Sequence, residues 1–506
     1  MEQTNLINST YRKKLGTIQN NVSTELQAEN NIAKILCSKA SAVITNYESL
    51  NGELKFNGLV CFCVTYTNEL GEFFTLSGSE GFSNKIENEN ININFVPMFN
   101  VETIELKVDS TSDEVKLSST IETNIDGLFT DTLNYYVNTD DKIVTNSNFV
   151  NFYTLSSNGK LKFDLDESFE TKKSINKILF TCANVKILDY SLGTDYFTVE
   201  GEVCINIGYE TNDDVKQLCN YTKCIKFKEE LEKDGIKKDG LLMVNAFINN
   251  CEIKAELSQN EKDYSISLVL PINVNYAHLL PYTSEVIVDA YSLKNKINLN
   301  IESFKVMDKN LSKTLYEKID GQFVIDDEAP RIIKTVSYCG ENVTITNSFV
   351  DNDKLILEGV ASVSVVYLED DENETLNSVI VEVPFSIENR IEELNLDDEI
   401  TACAMIKDVD VKCKKGKEIN IDLELCILLN AFSTFEEMAL TNISEGELLT
   451  PKEACLQIYF AKKGNSLWDI SKGLQCKPEQ ILEQNPNINL PLENDEKIVY
   501  FKNQNN

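Results

Sequence analysis

The sequence contains little histidine, little tryptophan and too few basic residues to balance its acids. His278 is the single histidine in 506 residues, which argues against histidine-based catalysis and histidine-rich metal sites. The chain carries 47 Lys and Arg residues against 81 Asp and Glu residues, a formal net charge of −34. Such a polyanion is a poor electrostatic partner for nucleic acid or an anionic membrane. With no nucleophile elbow, HExxH motif or Cys–His pair, we predict no enzymatic activity, no metal site and no cofactor.

Long apolar runs and metal-type cysteine spacings are also absent. The N-terminal MEQTNLINSTYRKKLG lacks the basic-then-apolar pattern of a secretion signal, and no run of about 18 apolar residues could span a membrane. We therefore expect a cytoplasmic protein. The 14 cysteines are scattered through apolar segments without a CxxC motif, which favours buried, reduced thiols over disulfides or metal ligands.

The length and the apolar content indicate several globular units. At about 150 residues per domain, the chain length suggests three or four. Hydrophobic residues make up 42% of the chain and charged residues 25%, so each unit can bury a core.

Three domain-sized copies of one module occupy most of the chain. Each copy has a lysine between apolar residues, a glycine 24 or 25 residues later, and a tyrosine eight residues after the glycine. The copies are Lys34, Gly58 and Tyr66, then Lys177, Gly201 and Tyr209, then Lys334, Gly359 and Tyr367. The lysines lie 143 and 157 residues apart, so the repeats are domains rather than short solenoid units.

Apolar residues inside each copy alternate with period 2, as at Val60, Phe62 and Val64, and polar turns separate the runs. We predict a mainly β protein with three tandem, antiparallel, β-sandwich-like repeats. An N-terminal segment at 1–30 precedes repeats at 31–160, 161–320 and 321–450, of which the last two include a linker strand. A strand in each linker predicts a semi-rigid array.

The repeated residues are typical of structure rather than chemistry. A glycine inside a strand indicates a bulge or a close approach of backbone more often than a ligand contact. The tyrosines fit the rim of a core, and the lysines fit edge protection or snorkelling. We also expect His278 to be structural.

From Leu456 onward the pattern changes to strand, helix, helix, strand. Asn465 or Ser466 suits the N-cap of the first helix, and Pro478 suits the first turn of the second. The stretch 456–502 resembles a LysM domain, because its turn, helix and Asn-Pro-x-Ile motifs follow in that family's order and include the single tryptophan.

In LysM domains, N-acetylglucosamine polymers lie in a shallow groove between the loop before the first helix and the loop after the second. The resemblance places this groove at Gly464, Asn465, Ser466, Leu467, Trp468, Asn485, Pro486, Asn487 and Ile488. Asn465 and Ser466 replace the usual Asp-Thr, and residues 493–496 replace the usual Pro-Gly-Gln. For Trp468 the alternative to a groove residue is an indole packed in the core.

Three β repeats followed by a LysM domain resemble the clostridial spore-coat morphogenetic proteins that interact with stage IV sporulation protein A. The resemblance implies a non-enzymatic assembly factor in the mother-cell cytosol. It would join the scaffold ATPase of the coat's basal layer at the forespore surface, with LysM as a protein-binding module. The alternative is a cell-wall or spore-cortex protein that binds peptidoglycan or N-acetylglucosamine polymers.

The negative charge is unevenly distributed along the chain. Residues 456–502 contain six lysines and six acidic residues, so the whole net charge of −34 belongs to residues 1–455. A neutral module at the end of an acidic array predicts partner binding that depends weakly on salt.

Overall fold

The computed structural model describes residues 3–171, 174–212, 217–259, 264–325, 331–352, 354–370, 375–414, 416–449 and 456–501. Strands dominate these residues, and all strand pairs are antiparallel. The prediction of a mainly β protein with antiparallel sheets is therefore confirmed. No helix among the described residues is long and apolar enough to cross a membrane.

The first repeat is built from six strands in two sheets. The strands are β1 (Gln3–Gln27), β2 (Lys34–Leu50), β3 (Glu53–Thr67), β4 (Phe73–Glu87), β5 (Val96–Ser110) and β6 (Glu114–Val137). Strands β2, β3 and β4 form one sheet in chain order, and the second sheet has the order β1-β6-β5. The N-terminal strand β1 thus pairs with β6 along its length.

The second repeat has the same plan with one additional strand. Its strands are β7 (Ile143–Thr171), β8 (Ile175–Leu192), β9 (Tyr196–Thr211), β10 (Leu218–Glu232), β11 (Leu241–Ile248), β12 (Lys254–Gln259) and β13 (Tyr264–Ser292). A short 3₁₀ helix, Asn250–Glu252, precedes β12. Strands β8, β9 and β10 form the three-stranded sheet, while β13 pairs with β7, β11 and β12.

The third repeat again has six strands, and a small βααβ unit follows it. The strands are β14 (Asn295–Val324), β15 (Ile332–Asp351), β16 (Lys354–Glu369), β17 (Leu376–Asn389), β18 (Glu399–Lys414) and β19 (Glu418–Leu448). The βααβ unit comprises β20 (Leu456–Ala461), α1 (Leu467–Leu474), α2 (Pro478–Gln484) and β21 (Glu496–Phe501). Strands β20 and β21 pair antiparallel.

The repeat glycines allow an aromatic ring to cross the backbone of the central strand. Gly58, Gly201 and Gly359 each lie opposite a phenylalanine of the next strand. A Cβ atom on Gly359 would lie 2.5 Å from the ring of Phe385 and 2.4 Å from the carbonyl oxygen of Thr344. On the other side, each glycine pairs with the residue just before a bulge. Close approach and bulge therefore occur together, where the sequence predicted one or the other.

The three repeats pack together, and each touches the other two. Residues of all three form one buried cluster, which includes Leu36, Leu179 and Leu218 together with Phe73 and Val366. A second shared cluster joins the long strands β1, β7 and β14. The array is thus closed into a three-lobed body rather than extended.

The N-terminal strand fastens the first repeat to the third. Arg12 forms a buried ion pair with Asp126 at 2.8 Å and lies over the ring of Phe432, 4.4 Å from its centroid. Its Nη1 also donates to Asn310 at 3.3 Å. Sequence patterning did not indicate this role for Arg12, because the partners lie up to 420 residues away.

The prediction of reduced cysteines is wrong at four positions. Cys61 and Cys251 form a disulfide between the first and second repeats, and Cys204 and Cys224 form one between β9 and β10. The second pair lies directly opposite in the strand register. Only the register and the packing of repeats bring these sulfurs together, so spacing could not reveal them.

Candidate functional site

The βααβ unit has a small core and well-capped helices. Ser466 is the N-cap of α1, where its side chain and that of Asp469 form a capping box. The hydrogen bonds from Ser466 hold the pKa of the Asp469 carboxyl below its ordinary value. Ile470 and Leu474 of α1 are buried against Ile481 of α2 and other core residues of the unit. The apolar face of α1 therefore forms part of the unit's core, as the apolar spacing of this helix predicts.

The first predicted groove loop is held by its own hydrogen bonds. Gly464 has φ of +90°, and a Cβ atom there would meet nothing within 4 Å. Its N–H donates to the carbonyl of Leu492 at 2.8 Å, and the N–H of Leu492 donates to the carbonyl of Asn465 at 3.1 Å. The side chain of Asn465 accepts from the N–H of Lys462 at 2.8 Å. The loop thus packs against the segment that leads into β21, and Asn465 is used internally.

The second predicted groove loop follows α2. The side chain of Asn485 donates to the carbonyls of Ile481 and Val499 at 3.0 and 3.1 Å. Pro486 and Asn487 are exposed, and Ile488 packs against the core of the unit. The side chains of Asn465, Ser466 and Asn485 all form hydrogen bonds within the unit. Among the polar residues predicted for the groove, only Asn487 has no described side-chain hydrogen bond of this kind.

Trp468 contacts the second repeat. Its indole Nε1 donates to Asp289 at 2.8 Å, and its ring lies 5.0 Å from that of Tyr291. Lys472, one turn further along α1, donates to both oxygens of Asp289 at 2.7 and 2.6 Å. The hydroxyl of Tyr291 donates to the carbonyl of Cys476 at 2.5 Å. Trp468 therefore anchors the βααβ unit to strand β13.

Asp289 and Tyr291 hold the βααβ unit against β13, and sequence reasoning did not point to either residue. Asp289 directly follows a register shift in β13, and bulges of this kind re-aim side chains. Burial raises the pKa of the Tyr291 hydroxyl well above its ordinary value. An Asp in a long strand carries no sequence signal for this contact, because its partners lie about 180 residues later.

The opposite side of the unit presents an apolar surface. Leu456, Ile458, Phe460, Val499 and Phe501 share the face of the β20–β21 pair that does not pack on the helices, and we call them the outer sheet face. Four of these side chains are 46%, 50%, 69% and 55% exposed, at Leu456, Ile458, Phe460 and Phe501 respectively. A cluster of large exposed apolar side chains on one small unit indicates an interaction surface.

A sequence signal for the outer sheet face exists. Strand β20 is apolar at almost every position, although a two-stranded sheet packed on helices needs only alternate apolar residues. The exposed apolar residues of β20 are therefore not needed to form the core of the unit. Lys497, opposite Phe460, places its ammonium group 5.5 Å from that ring and adds one positive charge to the surface.

A cavity of about 1030 Å³ lies between the three repeats. Glu102 lines it and is 9% exposed, and burial raises the pKa of its carboxyl to about 7. Lys186 also lines it and donates to the carbonyl of Cys403 at 2.6 Å. Among the described residues, no three His, Cys, Asp or Glu side chains are placed to hold a metal ion. His278 is fully buried in β13, and burial lowers its pKa.

The second and third repeats match a known domain family. Residues 174–256 and 332–414 match the family model described as SipL, SPOCS domain. Each match begins at a three-stranded sheet and continues into the following strands, and the first repeat has the same sheet without being matched. No curated protein and no solved structure matches the chain. Over these two repeats the chain is similar to a sporulation-associated family, which supports a sporulation-related role.

Proposed function

We propose that the protein is a non-enzymatic spore-coat assembly factor. Its C-terminal βααβ unit, which resembles a LysM domain, docks the coat's basal-layer scaffold ATPase, of the stage IV sporulation protein A type, at the forespore surface. The observation that carries the proposal is the outer sheet face, an apolar surface on a unit that is fixed to the repeats from its other side. The match to the SipL, SPOCS domain family supports the sporulation context.

The outer sheet face has the composition of a protein-binding surface. Its side chains include two phenylalanines and two branched aliphatic residues that are largely exposed, and aromatic residues often supply most of the affinity at interfaces. Trp468 on α1 holds the unit to β13, whereas the outer sheet face is the side of the β20–β21 pair that does not pack on the helices. Partner binding through such a face depends little on salt, because the contact is mainly apolar.

Glycan binding is the second candidate, and the two groove loops are the observation that favours it. Pro486 and Asn487 are exposed, and Gly464 leaves open space above the first loop. The polar side chains of Asn465 and Ser466 are already committed to the turn and the helix cap. A sugar would therefore have few side-chain groups to bind, and a protein partner is the better match.

Co-purification of the full chain with the scaffold ATPase tests the proposal. Phe460→Asp places a charge in the outer sheet face and should weaken binding by at least about tenfold. Leu482→Asp is the matched control, since Leu482 is 43% exposed on α2 of the same unit. Equal binding by both variants would contradict the proposal, as would full binding by a chain truncated before residue 451.

A pull-down on insoluble peptidoglycan separates the two candidates. The assembly factor should stay in the supernatant at physiological salt. Retention that is lost on Asn487→Ala but unaffected by Phe460→Asp would instead identify a glycan-binding protein.

A further inference from the structure

Four unpaired cysteines lie where the three repeats meet. Cys37, Cys182 and Cys339 belong to the shared apolar cluster, and Cys63 packs against it. Cys37 and Cys63 belong to the first repeat, Cys182 to the second and Cys339 to the third. Cys182 and Cys339 occupy equivalent positions, each five residues after the repeat lysine. The cluster shared by the three repeats therefore brings together thiols from separate repeats.

Two of these thiols are neighbours at the junction of the first and third repeats. Cys37 and Cys339 belong to the same buried cluster and are 6% and 0% exposed. Burial raises the pKa of both thiols, and each thiol also affects the pKa of the other.

The backbones that carry the pair are also close together. Gly340 follows Cys339 and has φ of +63°, and a Cβ atom on it would lie 2.7 Å from the carbonyl oxygen of Ser38. Nearby, the hydroxyl of Ser378 donates to the carbonyl of Ile35 at 3.1 Å. Strands β2 and β15 are therefore held side by side at the junction of the first and third repeats.

We propose that Cys37 and Cys339 form a disulfide that covalently joins the first and third repeats. A low-molecular-weight disulfide is the oxidant. The thiolate of one cysteine attacks it to form a mixed disulfide and releases one thiol. The second cysteine thiolate then attacks the protein sulfur of that mixed disulfide and releases the other thiol. The protein loses two hydrogens, and the small disulfide is reduced to two thiols.

This bond would complete a covalent closure of the three-lobed body. Cys61 and Cys251 already join the first repeat to the second. A bond between Cys37 and Cys339 adds the third repeat, so no repeat could separate from the first. Burial raises the pKa of both thiols, which slows their oxidation while the repeats stay packed. The oxidation rate should therefore rise under conditions that open this junction.

Peptide mapping of the intact full-length protein tests the proposal. The protein is incubated with oxidised glutathione in mild denaturant, returned to buffer, digested without reduction and analysed by mass spectrometry. We expect a peptide that links Cys37 to Cys339, a mass loss of two hydrogens, and a higher thermal midpoint that dithiothreitol reverses. Cys339→Ser should remove the linked peptide, and Cys413→Ser, which alters a cysteine outside the cluster, should leave it.

Two results would overturn the proposal. One is wild-type protein that keeps Cys37 and Cys339 as free or glutathionylated thiols while the bond between Cys61 and Cys251 is intact. The other is a cross-link that maps to Cys63 and Cys182 instead. Because the mapping uses wild-type protein, it remains decisive even where a serine variant fails to fold.

Discussion

Replacing Asp289 by alanine should release the βααβ unit from the second repeat. Asp289 accepts hydrogen bonds from the indole of Trp468 at 2.8 Å and from Lys472 at 2.6 and 2.7 Å. Its removal leaves the indole N–H without that acceptor and Lys472 without its ion pair. The packing of Tyr291 against Trp468 and its hydrogen bond to Cys476 are unaffected by this change.

The size of the effect follows from the exposure of each group. A hydrogen bond to a charged acceptor contributes about 1.5–3 kcal/mol. The Lys472 side chain is 43% exposed, so its ion pair is screened and adds about 0–1 kcal/mol. Together, a loss of about 1.5–4 kcal/mol shifts the docking equilibrium toward the released unit by about 10- to 900-fold.

Tryptophan fluorescence reports this equilibrium directly, because Trp468 is the only tryptophan in the chain. Asp289→Ala should shift the emission to longer wavelength and increase quenching by acrylamide, as the indole becomes exposed to water. Asp410→Ala is a matched control, since Asp410 is an exposed acid on β18. Emission and quenching identical to wild type in Asp289→Ala would refute the docking contact.

Three further perturbations test the fold. Gly359→Ala should lower stability by about 1–3 kcal/mol in thermal unfolding, because a Cβ there has backbone at 2.4 Å, whereas Gly81→Ala, with 3.8 Å of space, should be nearly neutral. Burial raises the pKa of the Glu102 carboxyl to about 7, so its protonated form stabilises the folded state. This stabilisation is fully present below the unfolded pKa of about 4.5 and is lost as the pH rises through 7. Wild type should therefore lose up to about 3 kcal/mol relative to Glu102→Gln between pH 4.5 and 7, and parallel pH profiles would contradict this. Arg12→Ala leaves Asp126 buried without its partner and should lower the free energy of unfolding by about 3–5 kcal/mol in denaturant unfolding. The double variant Arg12→Ala, Asp126→Ala should lose less stability than the sum of the losses in the two single variants.

Sequence patterning was informative wherever a residue acts through near neighbours. The glycine of each repeat lies opposite an aromatic residue of the adjacent strand. A glycine inside a strand with alternating apolar residues is enough to suggest that another group approaches the backbone closely. The order of strands and helices after Leu456 likewise follows from caps and apolar spacing, and Ser466 is one of the two predicted N-caps.

Trp468 illustrates where local reasoning stops. Its position in the first turn of α1 agrees with the helix start that the sequence predicts, and both a groove role and a core role were compatible with that position. The structure instead brings it against Asp289, about 180 residues earlier in the chain. A pair so far apart leaves no periodicity to read, and its hydrogen bond exists only once the unit has packed on β13.

The sequence by itself determined that this chain is acidic, repeated three times, mainly β, and ended by a small neutral βααβ module, because these properties depend on composition and on residues within one or two strands of each other. The tertiary structure alone decided that the three repeats pack against one another, that Cys61 pairs with Cys251, and that the outer sheet face of the terminal unit stays exposed. The physical reason is burial: apolar faces left open by each repeat are covered by other repeats, and which face meets which is settled by the packing of whole sheets.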